Sequence, residues 1–187
     1  MLRIVVVVVI VAAALFGVRA WVRGQDYLDL GNSSRVPSPS REVTADTPDG
    51  PRKVAVVPYR DGAQAVYGLS IHNDGPVSVQ VTEVAKPEAP DATVFMFRPV
   101  AVRMADREGP ETKATAPFHE FTLKKGHQRY VEVVGQLGDC EHYDTGSGEF
   151  IDSQPVKFKV LGQTLTDKIE LPTRIEIRYT RATRCPR

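Results

Sequence analysis

Tryptophan occurs once, cysteine twice, methionine three times and histidine four times in 187 residues. Each scarcity closes off a class of function. Copper and zinc carriers concentrate soft and imidazole ligands at short spacings, and this chain contains neither His-x-His nor Met-x-x-Met. Charge of one sign is also lacking: 24 Lys and Arg face 23 Asp and Glu, a formal net charge of +1. Such a balance supplies no long-range field to gather nucleic acid, and the basic residues are not interleaved with aromatics as a single-strand groove requires. No glycine-rich loop leads from a strand into a helix, which removes the phosphate cradle of nucleotide-binding proteins. Internal repeats and amphipathic helical runs are missing too.

What the chain does have begins at its amino terminus. Residues 4–18, IVVVVVIVAAALFGV, are uncharged. Continued to Val22 with Arg19 snorkelling, the run makes about 28 Å of helix at roughly 1.5 Å per residue, close to the thickness of a hydrocarbon core. Valine is a mediocre helix former in water, but in lipid an unpaired backbone costs more than propensity, so helix is the only open form. Trp21 falls where an interfacial anchor belongs. A cleaved secretory signal is the competing reading, with Val18-Arg19-Ala20 as the cleavage site. Arg19 inside that motif and the bulky Trp21 after it favour retention, which makes residues 1–24 a signal-anchor helix inserted in the bilayer through residues 2–22. Positive charges flank both ends (Arg3 against Arg19 and Arg23), so the charge count leaves the orientation open.

The cysteines bear on that orientation. Cys140 and Cys185 form an even pair behind an export signal, and such a pair reads as one disulfide in an oxidising compartment. It closes a loop that restricts the unfolded chain by about 4 kcal/mol in the entropy description. The domain is then extracytoplasmic and the amino terminus cytoplasmic; two unrelated buried thiols in a cytoplasmic domain are the alternative. Between helix and domain, residues 25–52 are rich in Ser, Pro, Thr, Gly and Asp, a composition that predicts a flexible tether, extended at Val36-Pro37-Ser38-Pro39.

From Lys53 to Arg187 the signal is period two. Tyr67, Leu69 and Ile71 alternate with Gly68, Ser70 and His72, and Val77, Val79 and Val81 with Ser78, Gln80 and Thr82. The pattern returns at Phe121 and Leu123, Val131 and Val133, Val156, Phe158 and Val160, and Ile175, Ile177 and Tyr179. These are half-buried strands. Pro99, inside the extended run 93–104, cannot donate a ladder hydrogen bond and marks an edge or a break. About eight short strands joined by Gly, Pro and Asp turns predict an all-β, two-sheet antiparallel sandwich over 53–187. HNDGP, residues 72–76, leads from strand to strand and is therefore a turn. Pro76 pushes Gly75 toward extended angles, which argues for a longer connection crossing between sheets over a tight hairpin.

Candidate chemistry is thin. His72, His119, His127 and His142 with Met96 and Met104 are the residues a copper site would use, yet their strand phases disagree: His72 falls on a polar face, while His119 shares a phase with Phe121 and Leu123. The polar stretch 138–152 carries Asp139, Glu141, Asp144, Glu149 and Asp152 without the ligand alternation of a calcium loop. Cys140 near His142 loses nucleophile character if it is oxidised. Ser147, between two glycines, lacks the strand and helix of a nucleophile elbow. Arg181, Arg184 and Arg187 make a mildly basic carboxyl terminus, ordinarily a solvated one.

YGLSIHNDGPVSVQVTEV, FTLKKGHQRYVEVVGQLGDCEHY and VKFKVLGQTLTDKIELP, together with the amino-terminal apolar run, resemble a group of actinobacterial single-pass membrane-anchored proteins with an extracytoplasmic immunoglobulin-like domain. The resemblance spans most of 54–185 and implies an envelope location and a non-enzymatic role. It departs from antibody domains: the domain has no Trp, and Cys185 lies beyond the last strand, so Cys140–Cys185 is a strand-to-loop staple and not a pin through the core. The expectation is an interaction or accessory module of the cell envelope, without cofactor, metal or catalytic residue, whose partners are the bilayer and an envelope protein or polymer. The alternative is a copper or small-ligand carrier using His119, His127, Met96 and Met104.

Overall fold

β-Branched and aromatic residues alternating with polar ones favour pleated strands that bury one face, and the domain consists of such strands. The computed structural model describes residues 17–47, 50–85, 96–109, 113–138, 144 and 146–179. A short helix over 17–23 precedes eleven strands. In chain order they are β1 (Leu28–Arg35), β2 (Arg41–Thr47), β3 (Gly50–Pro58), β4 (Gln64–Asn73), β5 (Val79–Val84), β6 (Phe97–Met104), β7 (Ala116–Pro117), β8 (Phe121–Leu123), β9 (Gln128–Leu137), β10 (Gly148–Val160) and β11 (Gln163–Arg178). They form a five-stranded sheet, β1-β4-β9-β6-β7, and a six-stranded sheet, β2-β3-β11-β10-β5-β8.

The all-β, two-sheet expectation holds, with one departure. Every neighbouring pair is antiparallel except β3 and β11, which run parallel from Val54 opposite Arg174 to Pro58 opposite Arg178. The inward-facing residues are the ones the alternation picks out: Tyr67, Leu69 and Ile71 on β4, Val131 and Val133 on β9, Val79 and Val81 on β5, Val156, Phe158 and Val160 on β10, and Ile175 and Ile177 on β11, all buried. Burial of a side chain the size of Phe158 contributes about 1.5–3 kcal/mol, so this layer dominates the stability of the domain. The 74–78 segment, which includes the Asp-Gly-Pro of HNDGP, carries the chain from β4 in one sheet to β5 in the other, as Pro76 suggested. At Pro99 the β6–β9 pairing shifts register between Pro99 and Ala101, a break in the ladder.

Residues 25–52 do not behave as a tether. β1 pairs with β4 from Leu28 opposite Asn73 to Arg35 opposite Gly68, and β2 pairs with β3 along its whole length. The connection through Val36-Pro37 carries the chain from the first sheet to the second. Polar composition misleads here because both strands lie at sheet edges, where solvent still reaches most side chains, while the backbone is satisfied by its neighbour. The sandwich therefore begins at Tyr27, not Lys53.

Two further boundaries move. Val22, the expected last residue of the membrane span, is completely buried in the sandwich core, so any span stops short of it; Trp21 and Val18 remain about half exposed. No helix among the described residues is long and apolar enough to cross a membrane, and residues 2–16 of the expected span lie outside the described residues. Glu149 and Asp152, expected in a loop, belong to β10. Cys140, Cys185, His142, Asp139, Glu141, Arg181, Arg184 and Arg187 also lie outside the described residues.

Candidate functional site

A cleft of about 330 Å³ opens on the outer face of the five-stranded sheet, where β1 loses register with β4 between Leu30 and Ser34. Its floor is Gly31 and Gln128. A Cβ at Gly31 would sit 2.3 Å from Gln128 Oε1 and 2.7 Å from Ser70 Cβ, so only glycine lets β1 approach here. Gln128 Oε1 accepts the Asn32 N–H at 2.8 Å and holds the wall in place. On the opposite side the segment after β6 folds back, with Gly109 N donating to Gln128 O at 2.9 Å. That fold brings Glu108 to His127, whose Nδ1 lies 2.6 Å from Glu108 Oε2. His72 completes the lining. The cleft thus offers two imidazoles, one carboxylate and two side-chain amides (Asn32 and Gln128), a set suited to polar contacts with a small ligand. Next to its floor the Ser70 hydroxyl is buried without a hydrogen-bond partner among the described residues.

The residues assigned to the copper alternative are not brought together. Met96 and Met104 are buried in the hydrophobic core. His119 is exposed just before β8, its Nδ1 3.4 Å from Pro117 O, and His127 is committed to Glu108. His119 escapes the buried face of Phe121 and Leu123 because the strand begins only at Phe121. Among the described residues no group of three His, Cys, Asp or Glu side chains is placed to hold a metal ion.

A second surface lies on the outer face of the six-stranded sheet. Phe150 is 52% exposed on β10, with the Arg174 guanidinium carbon 5.1 Å from its ring centroid. Arg174 also donates through Nε to Asp152 Oδ1. Arg178 forms a two-pronged pair with Glu176, Nε to Oε1 at 2.6 Å and Nη2 to Oε2 at 2.8 Å, and Glu176 faces Phe150 across the ladder. An aromatic ring kept in water and framed by arginines has the composition of a contact centre, since aromatic and Arg side chains carry a large share of binding energy at protein interfaces.

Three buried or half-buried polar arrangements are structural. Tyr67 donates its hydroxyl proton to Gln154 Oε1 inside the core, and burial raises its pKa. Tyr130 lies against Glu132, its hydroxyl donating at 3.5 Å, and is pushed up to about 12 by burial first and the Glu132 charge second. Burial also raises the carboxyl of Glu149, against the lowering effect of backbone hydrogen bonds that include Phe97 N at 3.1 Å.

Sequence reasoning singled out His72 and His127 but missed Glu108, Gln128, Phe150 and Arg174. Glu108 carries no local signal, because it reaches His127 only through the return of the chain after β6. Phe150 carried none either: it shares the even phase of the buried Val156, Phe158 and Val160, and only the register shift between Ile151 and Ser153 turns it outward.

No protein-family model matches the chain, and no curated protein does. Among solved structures, the VesB protease of Vibrio cholerae is similar over 67% of this chain and 30% of its own, at 15% identity and a TM-score of 0.33. This chain therefore spans about a third of that protein's length.

Proposed function

We propose that the protein is a single-pass, membrane-anchored accessory module of the cell envelope. Its amino terminus is cytoplasmic, its sandwich, of the immunoglobulin-like kind, is extracytoplasmic, and it works by contact with an envelope protein or polymer and not by catalysis. The observation that carries this reading is the junction: the uncharged run 4–18 leads within a few residues to Val22 and Tyr27, both buried in the sandwich core. An apolar segment of that length fixed to a domain with a polar surface has its lowest free energy in hydrocarbon. The exposed Phe150 beneath Arg174 supports contact as the activity. The resemblance to actinobacterial anchored proteins and the Cys140–Cys185 disulfide belong to the same proposal.

The test is labelling of intact cells with a membrane-impermeant maleimide, with and without prior mild reduction, reading Cys140 and Cys185 by mass. Labelling that appears only after reduction is the expected result. Thiols that stay silent in intact cells but react on lysis without reductant would place the domain in the cytoplasm and overturn the reading.

A further inference from the structure

Three loops share the end of the sandwich at which the helix joins, and each is tied to Tyr27 or Asn73. Tyr27 O accepts the N–H groups of Asp74 at 3.0 Å and Gly75 at 3.2 Å, fixing the β4–β5 crossover. Asn73 Nδ2 donates to Leu123 O at 2.9 Å and Gly126 N donates to Asn73 O at 2.8 Å, which holds the turn between β8 and β9. The Tyr27 ring packs on Phe158 with centroids 5.6 Å apart, two residues before Val160 closes the β10–β11 hairpin against Gln163. The ladders Lys159–Gln80 and Gln80–Thr122 bring that hairpin tip level with the β8–β9 turn.

What these loops present is unusual for turns in water. Leu161, at the hairpin tip, has φ 46° in the left-handed region that favours glycine or asparagine, and it is 60% exposed. Backbone conformation and solvation both disfavour a leucine there. Lys159 precedes it, and Lys124 and Lys125 stand exposed on the neighbouring turn. Arg23 and Trp21 are exposed on the helix at the same end. The acidic groups on this end are Asp26, Asp29 and Asp74, with Asp167 occupied by the Tyr27 and Leu28 N–H groups, Glu120 by the Gln80 amide and Glu108 by His127. An apolar tip beside a lysine cluster matches an interfacial contact, in which a side chain enters the headgroup layer and ammonium groups meet phosphate. Between the buried residues Val22 and Tyr27 only residues 23–26 intervene, too few for the domain to swing away from whatever holds the apolar run.

We propose that this end of the sandwich is seated on an anionic phospholipid surface, Leu161 entering the headgroup region and Lys124, Lys125 and Lys159 facing lipid phosphates. The domain then projects from the bilayer in one orientation, with Phe150 at the far end of β10, roughly 30 Å away at about 3.3 Å per residue. This rests on the membrane-anchored reading above.

The full chain, reconstituted in vesicles of phosphatidylcholine and phosphatidylglycerol, is prepared in four versions with a benzophenone amino acid replacing Trp21, Lys125, Phe150 or Leu161. After irradiation, lipid adducts are read by mass. Adducts at 21, 125 and 161 and none at 150 are expected, with the yield at 161 falling several-fold in phosphatidylcholine alone. Adducts at 21 with silence at 125 and 161 would sink the seating while leaving the anchor intact. Silence at 21 as well would sink the anchor reading itself, and crosslinking of 161 to a second copy of the chain in place of lipid would also overturn the seating.

Discussion

One carboxylate oxygen of Asp167 accepts the main-chain N–H of Leu28 at 3.0 Å, joining residues 139 apart in sequence. The same oxygen lies 3.3 Å from Tyr27 N. A side chain on β11 therefore pins the first residues of β1, and this bond is part of what turns a polar segment into an edge strand. Two main-chain donors otherwise lack a ladder partner at this point, and leaving partly buried amides unsatisfied costs about 1–3 kcal/mol.

Asp167→Ala should lower the unfolding free energy by about that amount in urea titrations. Hydrogen exchange at Leu28 should accelerate before exchange in β4 or β9. Asp167→Asn keeps an acceptor oxygen and should stay near wild type; an equal loss in both variants would mean that the carboxylate charge, not the acceptor, holds β1.

A different constraint operates on β9. The Phe97 ring lies over Gly135, such that a Cβ there would meet ring atoms at 2.1 Å. Gly135→Ala should destabilise by about 1–3 kcal/mol through overpacking, and adding Phe97→Leu should restore part of the loss. Strict additivity in the double-mutant cycle would show that ring and glycine do not communicate.

How far the fold was legible follows from these particulars. Tyr67, Leu69 and Ile71 announce β4 because burial on one face of a strand forces strict alternation, and that force acts on local sequence. β1 and β2 are silent by the same logic: as edge strands with mostly solvated side chains, they are held by ladder bonds, and β1 also by Asp167, which lies 139 residues from Leu28. The HNDGP crossover was legible because Pro76 acts on its immediate neighbour. The Glu108–His127 pair was not, since 19 residues separate its members and only the return of the chain across β9 joins them.

Two half-buried carboxyls set a pH dependence. Burial raises the pKa of both Glu149 and Asp167 in the folded protein, so each holds its proton longer folded than unfolded. Their contribution is fully present below the unfolded value near pH 4 and is lost as pH rises through the raised one. Glu149→Gln removes one such group, so urea unfolding measured from about pH 4 to 7 should show a smaller decline with pH than wild type. An unchanged slope would mean that Glu149 ionises normally.

The Phe150 surface separates fold from function. Phe150 is half exposed and Arg174 already has Asp152 as a partner, so Phe150→Ala removes little buried area and one exposed cation–π contact worth about 0.5–1 kcal/mol. Its cost to stability should stay within that range in thermal or urea unfolding. Binding energy at interfaces concentrates in aromatic and Arg anchors, so a true contact surface should respond far more strongly. Crosslinking in the host's cells, compared between wild type and Phe150→Ala, should lose a discrete high-mass species while the abundance of the protein holds. If the variant keeps every crosslinked species, the ring is an ordinary exposed side chain. Recognition would then have to be sought at the His72–Glu108–His127 cleft, where His127→Ala opens the polar wall without touching the core.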